Sequence, residues 1–211
     1  MAKYVSEFLG TAILFCAVVG SGIMGENLSK ENTQVTLLTN TLATVFALYF
    51  LISSFQPFST HFNPAVSFVF CLKGEISVRT CTIFVALQIT GAVAGVMLAN
   101  YMFGIDPVDC SKKPRSGTNL FVSEIFATFG LLLVILLSTK EKVAGGVAAY
   151  IGAAYWFTSS TSFANPAGTI GRAFSNTFAG INPDDVIAFC GAQVIGAMLA
   201  YLLYRKVFIK T

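Results

Sequence analysis

Long apolar runs, interrupted by short polar clusters, dominate the chain. They cover roughly 4–25, 34–55, 80–103, 119–138, 143–160 and 186–204, each close to the about twenty apolar residues that a helix needs to cross a bilayer core. Six membrane-spanning helices are predicted. Between the second and third runs, and again between the fifth and sixth, stands a shorter apolar segment opened by Asn-Pro-Ala: Asn63, Pro64, Ala65 and Asn165, Pro166, Ala167. Asn is a favoured N-cap, and Pro suits the first helical position because its missing N–H is one the helix could not have bonded anyway. Each tripeptide therefore starts a helix. The apolar sequence after it lasts only to about Leu72 and Ala173, too short to span. The fold class predicted is an all-α membrane protein of six transmembrane helices plus two re-entrant half-helices.

The pattern is written twice. "SEFLGTAILF" from Ser6 resembles "SEIFATFGLL" from Ser123, "FNPAVSF" resembles "FANPAGTI", and "ALQITGAVAG" resembles "GAQVIGAMLA", with Gln88 matching Gln193. Matched residues lie 117, 102 and 105 positions apart, which agrees within loop-length variation. The expectation is one domain over 1–211, built of repeats at about 1–104 and 117–211. Three spans per repeat is an odd number, so the second half must cross the membrane in the opposite sense. Inverted repeats of this kind bring their broken helices together near the midplane, where a solute site is built.

Non-helical backbone at membrane depth, as in "QPFST" and "TSSTS" ahead of each Asn, needs protein or a water-filled cavity to satisfy it. Two half-helices entering from opposite faces would point both N-termini at the centre, each carrying about half a positive charge. A cation meets a barrier there. The Asn side-chain oxygen can cap its own helix, leaving the amide NH2 as a donor for a neutral oxygen-bearing molecule; Asp would cap as well but offer no donor.

Composition agrees with a lipid solvent: 11% of residues are charged, against about 25% in soluble domains. The first apolar run, Phe8 to Met24, is long and is followed by five more, so it is expected to be retained rather than cleaved as a signal peptide. With both termini in the cytoplasm, Lys3, Lys73, Arg79, Lys140, Lys142, Arg205, Lys206 and Lys210 lie inside, against Lys30, Lys112, Lys113, Arg115 and Arg172 outside. The excess favours that orientation, with the basic loop "CSKKPRSG" dissenting. Five scattered cysteines form no disulfide framework, and a dispersed net charge of +3 does not suggest nucleic acid. With a single His, no metal-ligand spacing and no nucleophile beside a base, neither an enzyme nor a cofactor is expected. A carboxylate inside the membrane is expensive, so Glu124, and Glu7 as its equivalent, are expected to share a buried role.

Taken together, Glu7 and Glu124 early in helices one and four, "HFNPAV", and a second "NPA" with an Arg nearby resemble the major intrinsic protein family, the aquaporins and aquaglyceroporins. The likeness runs over nearly the whole chain. It implies a homotetramer in a membrane, with a pore in every protomer. It also implies that Glu7 and Glu124 brace the re-entrant loops and that His61 helps fix the first. In the family an Arg usually follows the second tripeptide and narrows an outer selectivity filter; here that residue is Gly168. Counting from the tripeptides places the remaining filter positions at Ala43, Ala153 and Ser162, all small, which implies a wide opening. Arg172, one helical turn beyond Gly168, is expected in the outer vestibule. "NPAGTIGRAF" further resembles a bacterial subgroup found with arsenic-resistance genes. The expected function is a passive channel for water and small uncharged solutes, such as polyols, urea and metalloid hydroxides including arsenite, in a bacterial inner membrane. The alternatives are a proton-coupled transporter or an ion channel on the same scaffold.

Overall fold

The computed structural model describes residues 1–30 and 32–209. Eight α-helices follow one another: α1 (Ala2–Ser29), α2 (Thr33–Phe55), α3 (Pro64–Leu72), α4 (Val78–Met102), α5 (Thr118–Leu137), α6 (Lys140–Phe157), α7 (Pro166–Arg172) and α8 (Pro183–Leu203). A π-helical turn, Tyr204–Phe208, ends the described chain. Helices α1, α2, α4, α5 and α8 with its extension are long and apolar enough to cross a membrane. The remaining long helix, α6, has 18 residues and opens on Lys140, Glu141 and Lys142. It packs between α2 and α5 and takes the place of the fifth predicted span. Lys210, part of the charge count, lies outside the described residues.

Helix starts follow the capping logic of the sequence. Asn63, Asn165 and Asn182 each stand before a Pro and accept backbone N–H groups of the helices that they open; Asn32 and Ser77 do so for α2 and α4. The half-helices α3 and α7 have nine and seven residues. No α-helix of that length crosses a hydrocarbon core, because the rise is about 1.5 Å per residue.

Helices touch in the order α4, α1, α2, α6, α5, α8, and both half-helices fill the gap between α8 and α4. The end of α3 lies by the C-terminal segment, where the Tyr201 hydroxyl donates to Leu72 O and Lys73 sits over the Tyr204 ring. The end of α7 lies at the opposite face, where Asn100 Nδ2 at the end of α4 donates to Phe174 O. The half-helices therefore enter from opposite sides. Both α1–α4 and α5–α8 are tight crossings of equivalent helices. At Gly95 a Cβ would overlap the carbonyl oxygen of Ala12, and at Gly196 that of Ile125, so only glycine lets these backbones approach.

Replacing Gly95 with Leu should therefore destabilise the protein by about 3 kcal/mol or more, the upper range for overpacking. A Cβ at Gly145 would meet open space, and the same substitution there should leave the unfolding midpoint in detergent nearly unchanged. Equal effects at both positions would contradict the close crossing.

Candidate functional site: a cavity beside two asparagines

Where the half-helices meet, each Asn does two things. Asn63 Oδ1 accepts from Ala65 N at 2.9 Å, and Asn165 Oδ1 accepts from Ala167 N at 3.0 Å and Gly168 N at 3.3 Å. The amide nitrogens cross over: Asn63 Nδ2 donates to Ala164 O at 2.7 Å and Asn165 Nδ2 to Phe62 O at 2.8 Å. Each amide thus gives one hydrogen to the residue before the other Asn. The expectation that the NH2 groups are wholly free is corrected, because the loops are close enough to clasp; one hydrogen on each remains. Pro64 and Pro166 are buried at the first helical positions, and Ala65 and Ala167 are buried beside them.

The clasp holds loops that would not adopt their shape unaided. Phe62, Thr161, Ser162 and Ala164 all have positive φ, between 46° and 61°, a conformation that costs a non-glycine residue about 1–2 kcal/mol. Two fully buried carboxylates offset this. Glu7 accepts from His61 N at 2.8 Å, Phe62 N at 2.8 Å, Ser59 Oγ at 2.5 Å and Gln88 Nε2 at 2.7 Å. Glu124 accepts from Phe163 N at 2.9 Å, Ala164 N at 2.9 Å and Gln193 Nε2 at 2.6 Å. Gln88 donates onward to Ser67 Oγ, which also bonds His61 Nδ1 at 3.0 Å; Gln193 donates onward to Thr169 Oγ1. Ser6 bonds the first loop at Ser59 O, and Ser123 the second at Ser160. The repeated Ser-Glu dipeptide and the matched glutamines were the signal for these partners.

A cavity of about 540 Å³ runs past the clasp. Its walls are stripes at helical spacing: Leu14, Phe15 and Val18 of α1, Thr44, Leu48 and Ile52 of α2, Leu131 and Ile135 of α5, and Val143, Val147, Ile151 and Tyr155 of α6. The loop residues His61, Phe62, Asn63, Ser162, Phe163, Ala164 and Asn165 complete it. Lys3, Lys73 and Lys140 flank the end by the chain termini, and Arg172 stands towards the other.

Two expected filter positions, Ala43 and Ala153, fall elsewhere. Ala43 faces a lateral groove against α1 and α4; Thr44, about 100° further round the helix, lines the cavity and meets the Tyr155 hydroxyl at 3.2 Å. Ala153 is exposed on the outside of α6, because it lies two residues, about 200°, from Tyr155. Gly168 is buried, and a Cβ there would overlap the Phe15 ring. The space that a side chain at 168 would take is occupied by the Phe15 ring. Counting along the chain could not find Phe15, because it comes from another helix. Ser162 does line the cavity, with its hydroxyl buried and without a protein partner.

Arg172 is 4% exposed, its Nε donates to Ala179 O, and its guanidinium carbon lies 3.3 Å from the Phe163 ring centre. Arg115, from the basic loop, lies 4.7 Å from the same ring and donates to Gly180 O, Ser160 O and Phe178 O. Lys113 donates to Phe178 O at 2.8 Å. This loop thus packs against the Phe163 ring and the backbone of Phe178 and Gly180. Burial, with the charges of Arg115 and Arg172, lowers the Lys113 amine to about 8 despite Glu26, and burial lowers Arg115 to about 10 despite Glu124 and Tyr155. Among the described residues the ion pair found is Lys73 with Glu75, at the opposite end.

A family model described as major intrinsic protein matches residues 1–159. The chain belongs to the major intrinsic protein family. It is 47% identical over 207 residues to aquaglyceroporin AqpS of Rhizobium meliloti (strain 1021), covering 96% of this chain and 88% of that one. It is 29% identical over 220 residues to human aquaporin-5, covering 94% and 78%. The aquaglyceroporin structure from Plasmodium falciparum superposes with a TM-score of 0.77 at 19% identity, covering 98% and 96%, which shows the shared fold. Major intrinsic proteins are channels rather than enzymes. In this chain Gly168 directly follows the second tripeptide, and a buried guanidinium stands one turn on, at Arg172.

Replacing Glu124 with Gln puts an NH2 against at least one buried donor whichever way the amide turns. Unfolding in detergent should show a loss of about 3 kcal/mol, the cost of a stranded buried donor, whereas wild-type stability would contradict the bracing. The Lys113 amine has a lower pKa folded than unfolded, so the unfolded state binds more protons between pH 8 and 10.5. Stability should accordingly rise with pH across that window, and the rise should be smaller in Lys113→Met; identical pH slopes would contradict a lowered amine.

Proposed function

We propose that this chain is a passive channel for water and small uncharged solutes. The single observation that carries this reading is the reciprocal asparagine clasp at one continuous cavity, with apolar walls on one side and loop backbone on the other. In this reading Asn63, Pro64, Ala65, Asn165, Pro166 and Ala167 form the pore's centre. The two half-helix N-termini and Arg172 repel cations there. Glu7, Glu124 and His61 support the loops, and Thr44, Tyr155 and Ser162 with Arg172 form the narrow polar girdle beyond the clasp. The solutes proposed are glycerol-like polyols, urea and metalloid hydroxides such as arsenite, all able to exchange hydroxyl or amide contacts along the loop backbone. The proposal extends to one channel domain made of two inverted repeats. Its setting is a homotetramer in a bacterial inner membrane with both termini in the cytoplasm.

Channel function is favoured over proton coupling by the state of the carboxylates. Glu7 and Glu124 are fully buried and spend their oxygens on loop donors, and neither lines the cavity. A proton carrier must meet the transported path.

Stopped-flow light scattering on proteoliposomes, with gradients of water, glycerol, urea and arsenite, tests this proposal. Flux should follow each gradient, saturate weakly and be unchanged when the proton gradient is dissipated. Accumulation of any of these solutes against its gradient, or a large ionic conductance in planar bilayers at neutral pH, would overturn it.

A further inference from the structure

The two halves of the repeat differ at one place beside the clasp. Three residues after Asn63 comes Val66, whose side chain lines the cavity; three residues after Asn165 comes Gly168, which has no side chain. A Cβ on Gly168 would overlap Cζ and Cε1 of Phe15 and stand 3.1 Å from Cε2. The ring occupies the volume into which any side chain at 168 would project. Phe15 is 4% exposed and lines the cavity, whereas Leu132, its equivalent in α5, is fully buried and does not. Bulk has changed sides: in one half the half-helix supplies the wall, in the other a spanning helix supplies it.

We infer that Phe15 is a specificity-determining residue: its ring, seated on the bare backbone of Gly168, sets the width that a solute must have to pass the clasp. The inference rests on the reading of this cavity as a channel. The chemistry of the wall follows from the residue. An arginine projecting from 168 would bring charge and donors, whereas the Phe15 ring is an apolar plate with two torsions, held by α1, and selects by shape. Polar contacts are left to Ser162, Tyr155 and Arg172 across the lumen. Seat and ring are mutually dependent. A methyl group added at 168 forces the ring to move, and the unfilled space beside it is the lumen.

Wild type, Phe15→Ala, Phe15→Leu, Gly168→Ala and the double variant Phe15→Leu/Gly168→Ala are reconstituted, and permeabilities to water, glycerol and erythritol are compared. Phe15→Ala should raise the erythritol-to-water ratio about tenfold, the scale on which one steric contact discriminates in an apolar site, with Phe15→Leu intermediate. Gly168→Ala should lower the glycerol-to-water ratio, and the double variant should return it to the wild-type value or above. Should Phe15→Ala fail to fold, the Leu and Ala single variants and their combination carry the same test. Unchanged ratios in folded variants of a conducting protein, or a double variant no better than Gly168→Ala, would overturn the role of Phe15 alone. A wild-type protein that conducts none of the three would overturn the channel reading itself, and this inference with it.

Discussion

Everything in this structure depends on how backbone N–H groups are satisfied where the chain stops being helical inside a membrane. In hydrocarbon an unpaired amide costs several kcal/mol, so irregular backbone survives only with a partner at hand. Two loops enter from opposite faces, and two buried carboxylates answer them: Glu7 takes the N–H groups of His61 and Phe62, and Glu124 those of Phe163 and Ala164. The loops then turn the carbonyls of Phe62 and Ala164 to each other's asparagine. A cost that would exclude such loops from lipid is converted into a polar track with an apolar wall.

The two halves use the same devices at equivalent places, but the ends of the cavity differ. The end by the termini carries Lys3, Lys140 and the Lys73–Glu75 pair. At the other, Arg172 and Arg115 meet at the Phe163 ring, with Lys113 close by on Phe178. Burying the two guanidinium groups requires carbonyl acceptors and aromatic faces, and Ala179, Gly180, Ser160 and Phe178 supply the acceptors.

Much of this was legible along the chain. Apolar runs give the spans, the Asn-Pro pairs give both half-helix starts, and the Ser-Glu and Gln matches give the repeat. The filter was less legible for a geometric reason. Counting from a tripeptide across a loop to the preceding helix fixes a residue to within one or two positions, yet each position turns a helical side chain by about 100°; hence Ala43 for Thr44 and Ala153 for Tyr155. Small residues in sequence also say nothing about which distant ring fills the space, and Phe15 lies more than a hundred residues before Gly168. Arg115 and Lys113 read as loop charges because only the fold brings their loop against α7 and α8.

The most direct test of the central claim is amide hydrogen exchange at the loop residues His61, Phe62, Phe163 and Ala164 in the lipid-reconstituted protein. If the buried carboxylates hold these N–H groups, they exchange as slowly as amides in the middle of α1, even though no helix contains them. Exchange at the rate of amides that have no hydrogen-bond partner would mean that the carboxylates do not hold the loops, and the account of how this pore is built would be wrong.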